Sequence, residues 1–166
     1  MGHRIQAMAM VHQMLYQAQD LSRISLDYYI RDLTQLILNS YQHPANQVKL
    51  RFELTPVDVL IDIAIPCGLI LTELISNVLK YAFPDDRTGE ILFRLSRIEP
   101  DTIELYLADN GVGVPAGFDF RTQTSLGLRT AIALVEHQLG GSISFETDHG
   151  VACRIRLTNV RYIARV

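Results

Sequence analysis

The sequence predicts an α+β fold, a two-layer α/β sandwich in which a mixed sheet carries its helices on one face. Four segments repeat apolar residues at helical spacing and five alternate apolar with polar residues as half-buried strands do. The alternating segments also come in adjacent pairs. "EILFRLSRI" is followed at once by "TIELYLAD", and "SISFET" by "VACRIRLT", with connections too short for a parallel crossover. Strand pairs interspersed with helices leave one helical layer over one sheet.

Each element has its own signal. In "RIQAMAMVHQMLYQA", Ile5, Met8, His12, Leu15 and Tyr16 fall on one side of a methionine-rich helix that needs a partner surface. Ser25 stands at the N-cap position of a second helix, in which Leu26, Tyr29, Ile30, Leu33, Ile37 and Tyr41 keep the same period. Polar turn residues from Pro44 to Asn46 break that pattern. Val48, Leu50, Phe52 and Leu54 then alternate as a strand. Pro66 suits the first turn of a third helix running through "CGLILTELISNVLKYAF" to a stop at Pro84. A last helix through "LRTAIALVEHQLG" ends on Gly140 and Gly141.

Composition narrows the function. A chain of 166 residues with 48% hydrophobic content suits one domain with a short helical appendage. A formal charge of -3 offers no basic field for nucleic acid. Cys67 and Cys153 stand in apolar contexts without metal-ligand spacing, which reads as two buried free thiols. The most apolar window is interrupted by Asp58, Asp62, Pro66 and Glu73, short of a clean membrane span, and no signal peptide is visible. The expected location is cytoplasmic, which is compatible with membrane attachment elsewhere in a full-length protein.

Four stretches could carry chemistry. On the third helix Glu73, Asn77 and Lys80 project from nearly one face. That spacing alone is equally a solvated polar stripe. It becomes a site only in company, since an asparagine oxygen can ligate Mg²⁺, a carboxylate can orient a nucleophile and a lysine can neutralise phosphate. "DNGVGVP" follows a strand but has no second strand to close a hairpin, so a long polar loop, expected to be flexible, extends from it. "SLGL", from Ser125 to Leu128, opens a helix whose free N–H groups favour an anion. "HGV", from His149 to Val151, separates the last two strands.

Taken in order, "ELISNVLKYAFP", "DNGVGVP", "SLGL" and "HGV" resemble the conserved boxes of the GHKL (Bergerat-fold) ATP-binding domain shared by histidine kinases, gyrase B and MutL. The chain is most similar to the catalytic module of bacterial two-component sensor histidine kinases of the HisKA_2-like subgroup. The resemblance implies a second dimerisation helix in residues 1–24 and an ATP-binding catalytic domain in 25–166. It implies that Asn77 ligates Mg²⁺ on the ATP phosphates, that Glu73 polarises the nucleophile, and that Lys80 lies near the phosphates with Tyr81 flanking the nucleotide. Asp109 would accept from the adenine amino group, with Gly111 and Gly113 allowing close approach and lid movement. Leu126, Gly127 and Leu128 would bring a helix start to the triphosphate, and Gly150 would lie below the base. Thr72, Ser125 and Val151 depart from the usual asparagine, glycine and threonine.

The implied activity is transfer of the ATP γ-phosphoryl group to a histidine, for relay to the aspartate of a response-regulator receiver domain, by a kinase that is a homodimer at full length. No stretch matches the acceptor motif of the first dimerisation helix, and His3 and His12 fall in the second-helix register, so the acceptor is expected outside this chain. The rivals are a serine kinase of the same superfamily acting on sigma-factor regulators and a degenerate module that only binds partners. A gyrase-like or MutL-like motor fits less well, because the expected lid from Gly113 to Ser125 is short and no transducer domain follows in the sequence.

Overall fold

A computed structural model describes residues 2–17, 23–41, 47–122, 124–158 and 160. Helix α1 (Gly2–Gln17) leads through strand β1 (Arg23–Ser25) into α2 (Leu26–Ser40), β2 (Val48–Leu54) and β3 (Asp58–Leu60). Helix α3 (Ile61–Tyr81) is followed by the hairpin β4 (Gly89–Glu99) and β5 (Thr102–Asp109). Helix α4 (Leu126–Ala133) runs into a π-helical turn (Leu134–Gln138), and β6 (Ser142–Glu146) pairs with β7 (Ala152–Leu157). The five-stranded sheet has the order β2-β4-β5-β7-β6, parallel only between β2 and β4. The expected mixed sheet is therefore present. The helices lie on one face of it, as strand alternation requires.

Along β5 the odd positions Ile103, Leu105 and Leu107 are buried, and they meet Leu71, Ile75 and Ile132 in one core. The even positions face the other way. There Tyr106 lies between the guanidinium groups of Arg94 and Arg154, 5.4 and 4.8 Å from its ring centroid, in register with both. Glu104, beside it, accepts from both Arg154 and Arg156. A polar ladder of this kind suits an uncovered sheet face.

Several local expectations need correction. Among the described side chains of α1, Ala7 is the buried one, with Met10 and Met14 half-buried, while Ile5 and Met8 are 69% and 45% exposed and His12 is exposed. The helix meets α2 and α3 through the small Ala7 side because that side lets the backbones approach. The side chains of Leu15 and Tyr16, and the break from Pro44 to Asn46, lie outside the described residues. Ser25 occupies the N-cap position of α2, but its hydroxyl donates to Asp27 Oδ1 at 2.9 Å and makes no cap. Asp27 Oδ1 in turn accepts from the Val57 N–H, which ties α2 to the segment entering β3.

Helix α3 begins at Ile61, not at Pro66, which sits in its second turn. Burial of Ala64, Pro66 and Cys67 outweighs the one backbone bond that proline removes. With a mean hydropathy of 1.6, α3 is long and apolar enough to cross a membrane by length and composition. Here it is the central helix of the core, flanked by α1, α2 and α4. The small antiparallel β1–β3 pair carried no alternation that three-residue strands could display. The last helix departs from α-geometry at Leu134, six positions before the first of its terminal glycines.

Both cysteines are buried and free, as expected. Burial pushes each thiol from 9.0 up to about 12. Because the folded values lie above the unfolded ones, the neutral thiols stabilise the fold fully below the ordinary value, and that contribution is lost as pH rises beyond it. Unfolding free energy is expected to fall as pH rises through the 9.0–12 range, and Cys67 should resist alkylation at pH 8.5 until denaturant is added. Rapid labelling of Cys67 in the folded protein would contradict this core.

Candidate active site

The inward-facing positions of β5 end on a carboxylate. Asp109 continues the series Ile103, Leu105 and Leu107, and only 5% of it is exposed. Its Oδ1 accepts the Gly111 N–H at 2.8 Å and the Val151 N–H at 3.4 Å. Burial raises its pKa, and those two N–H bonds partly offset the rise. Among the described residues both bonds fall on Oδ1, which leaves Oδ2 for an occupant of the cavity that Asp109 lines.

That cavity is about 410 Å³, within the range of a small-molecule site. One wall is α3, through Leu74, Asn77, Val78 and Tyr81, and the floor is Leu107, Asp109, Val151 and Cys153. Asn77 and Asp109, 32 positions apart by their numbers, thus share one enclosure because α3 crosses the end of β5. Gly113 and Leu128 line it too, while Tyr81 lies at the mouth with 65% of its surface exposed.

Glu73 lies one turn before Asn77, against the start of α4. A Cβ on Gly127 would fall 2.0 Å from Glu73 Oε2, so glycine is required for that approach. Gly150 has a φ of +80°, and a Cβ there would lie 2.2 Å from the Asp109 carbonyl oxygen. Gly150 thus lies directly against Asp109. Gly111 packs on Ala82, whose carbonyl accepts the Val112 N–H at 2.9 Å. Lys80 is exposed and Leu126 is 73% exposed, and neither lines the cavity. Among the described residues no cluster of three His, Cys, Asp or Glu side chains could hold a metal ion, so any cation here would depend on Asn77 and on oxygens of a ligand.

The departures from the family pattern have local reasons. Ser125 caps α4, its Oγ accepting the Leu128 N–H at 3.3 Å. Thr72 is buried and donates from Oγ1 to the Gly68 carbonyl at 2.7 Å. Val151 adds an apolar surface to the cavity floor.

The loop between Gly113 and Ser125, expected to be flexible, has a folded interior. Phe120 stacks on Phe145 with centroids 4.2 Å apart, and Phe118 meets Phe120 edge-on at 5.0 Å. All three rings line the cavity, and none was singled out from sequence. The signal was the two aromatics of "GFDF" in an otherwise polar loop. Arg121 forms a bidentate pair with Glu136 at 2.7 and 2.8 Å, which anchors the loop to the π-helical turn.

Comparisons with known proteins agree with this geometry. Residues 1–41 match a family model described as histidine kinase, and residues 62–161 match the histidine kinase-, DNA gyrase B-, and HSP90-like ATPase model. Blue-light-activated histidine kinase 2 of Erythrobacter litoralis is 26% identical over 144 residues, covering 82% of this chain and 40% of that protein. Sensor histidine kinase PdtaS of Mycobacterium tuberculosis is 29% identical over 143 residues, covering 84% of this chain and 28% of its own length. The chain therefore spans less than half of either relative. The solved histidine kinase domain of the Erythrobacter litoralis EL346 blue-light activated histidine kinase superposes with a TM-score of 0.81 at 23% identity, covering 95% of this chain and 74% of that one. With this ATPase model matched from residue 62 to 161, more than half of its length, the chain belongs to the histidine kinase-, DNA gyrase B-, and HSP90-like ATPase family.

Proposed function

We propose that this chain is the ATP-binding catalytic module of a sensor histidine kinase. The observation that carries the reading is the buried Asp109 carboxylate on the floor of an apolar cavity that also holds Asn77. An adenine ring fits such walls, and its amino group supplies the donor that Oδ2 lacks. Asn77 and Glu73, half-buried on one side of α3, face the end where the phosphates would lie beside the start of α4.

The donor set fits magnesium bound with ATP, because this ion keeps several waters and phosphate oxygens and needs few protein ligands. Held by Asn77, it supplies charge neutralisation for the transferring phosphoryl group. Glu73 would orient the acceptor imidazole and take its proton, and the N–H groups opening α4 would bind phosphate oxygens. The acceptor is a histidine on a dimerisation helix outside this chain, and the phosphoryl group passes on to a response-regulator aspartate. The histidine kinase match over residues 1–41 favours this over the serine-kinase reading and over a module that only binds partners.

Asp109→Asn is the test of the base contact. The amide can keep its oxygen on the Gly111 and Val151 N–H groups, which turns its NH₂ toward the adenine amino group. Two facing donors cost ~1–3 kcal/mol, so ATP affinity should fall about 10- to 100-fold while GTP binding improves relative to ATP. In the unmodified protein, ATP affinity should fall on acidification before the ordinary carboxylate value of 3.8 is reached, because the Asp109 pKa is raised, and the variant should lack that step. Unchanged ATP affinity in a folded Asp109→Asn protein would remove the assignment.

Asn77→Ala tests the phosphate end, because it removes the side-chain oxygen and leaves no ligand in its place. It should leave adenosine binding within about twofold and abolish the gain in ATP affinity that Mg²⁺ confers, measured by calorimetry with and without the ion. A variant that keeps the full Mg²⁺ response would place the cation elsewhere.

A further inference from the structure

Tyr29 stands where the segment matching the histidine kinase model meets the ATPase domain. Its side chain is fully buried, and its hydroxyl donates to the Ala7 carbonyl of α1 at 3.0 Å. Ala7 is itself 1% exposed. On the other side lies Gly68 of α3, where a Cβ would fall 1.9 Å from the same hydroxyl oxygen. Glycine inside a helix costs ~1 kcal/mol relative to alanine, and here it makes the room that the hydroxyl needs. Three helices therefore meet at one oxygen atom.

From that atom a short path reaches the site. The Gly68 carbonyl accepts the Thr72 hydroxyl, and Thr72 immediately precedes Glu73. Helix α1 packs along α3, the helix that also carries Asn77. The placement of α1 is thus fixed against the element that holds the reacting end of the nucleotide cavity.

We propose that Tyr29 is a positioning residue that docks the dimerisation segment on the ATP-binding domain, so that the phosphoryl group is presented to the acceptor in a set orientation. This rests on the histidine-kinase reading. Transfer between groups on two bodies depends steeply on their relative placement, and Tyr29 is not among the residues that line the cavity. Its effect falls on the rate of transfer and leaves nucleotide binding unchanged.

The test is Tyr29→Phe in the full-length protein, with Gly68→Ala as a second variant that pushes the ring away from the α3 side. Losing a bond of ~1 kcal/mol should speed amide exchange in α1 about fivefold and slow phosphotransfer at saturating ATP by about as much. The KM for ATP, the ATP affinity and the exchange of α3 should stay within twofold of the parent. A transfer rate within twofold of the parent, or unchanged exchange in α1, overturns the proposal. A KM for ATP that rises together with the loss of rate also overturns it, since Tyr29 would then only support the pocket. Failure of the unmodified protein to bind ATP would instead sink the functional reading.

Discussion

The arrangement depends on one buried charge position. Strand β5 delivers side chains alternately inward and outward, and its last inward place holds Asp109 where Ile103, Leu105 and Leu107 precede it. A carboxylate there is costly unless its oxygens are met. Two backbone N–H groups meet one of them, from Gly111 after the strand and from Val151 before β7. The two glycine-bearing turns are therefore shaped around the acid. Gly150 must take a left-handed φ and pass close to the Asp109 carbonyl, and Gly111 must lie against Ala82 at the end of α3. The second oxygen is then the polar feature of a largely apolar floor.

Helix α3 joins that acid to the start of α4. Its buried stripe of Leu71, Leu74, Ile75, Val78 and Leu79 packs on the sheet, which fixes its rotation. Rotation in turn decides where Glu73 and Asn77 stand, one beside the start of α4 and the other in the cavity wall. The same helix receives α1 and α2 on its N-terminal half, around Gly68. Core packing, one wall of the cavity and the placement of α1 are consequently borne by one element. That combined use explains a composition apolar enough to resemble a membrane span.

Most of the sheet was legible in the sequence because each long strand alternates over five or more residues. The run "TIELYLAD" even gives its limits, Thr102 to Asp109. The cavity residues Asn77, Asp109 and Gly113 were legible through motif order, since a turn glycine or a polar helix face has little meaning alone. Other features depend on tertiary partners. Ile5 and Met8 have the period of a buried stripe, yet the small Ala7 is the side that α2 and α3 admit. Pro66 is an ordinary helix-start signal, but the burial of Ala64 and Cys67 around it extends α3 upstream. The π-helical turn leaves no trace in "LVEHQ", because it is defined by where Glu136 must reach Arg121 and by how the helix leaves for β6. Lys80 and Leu126 belong to the motifs but lie outside the cavity wall.

The most direct measurement is a competition titration of the unmodified chain with ATP and inosine triphosphate in the presence of Mg²⁺. These nucleotides differ at the purine 6-position, where an amino donor is replaced by an oxygen acceptor. If Asp109 reads the base, ATP should bind at least about tenfold more tightly, because the 6-oxygen would face an ionised carboxylate. Equal affinities would mean that the buried acid serves the fold alone and that the cavity recognises its ligand by other means.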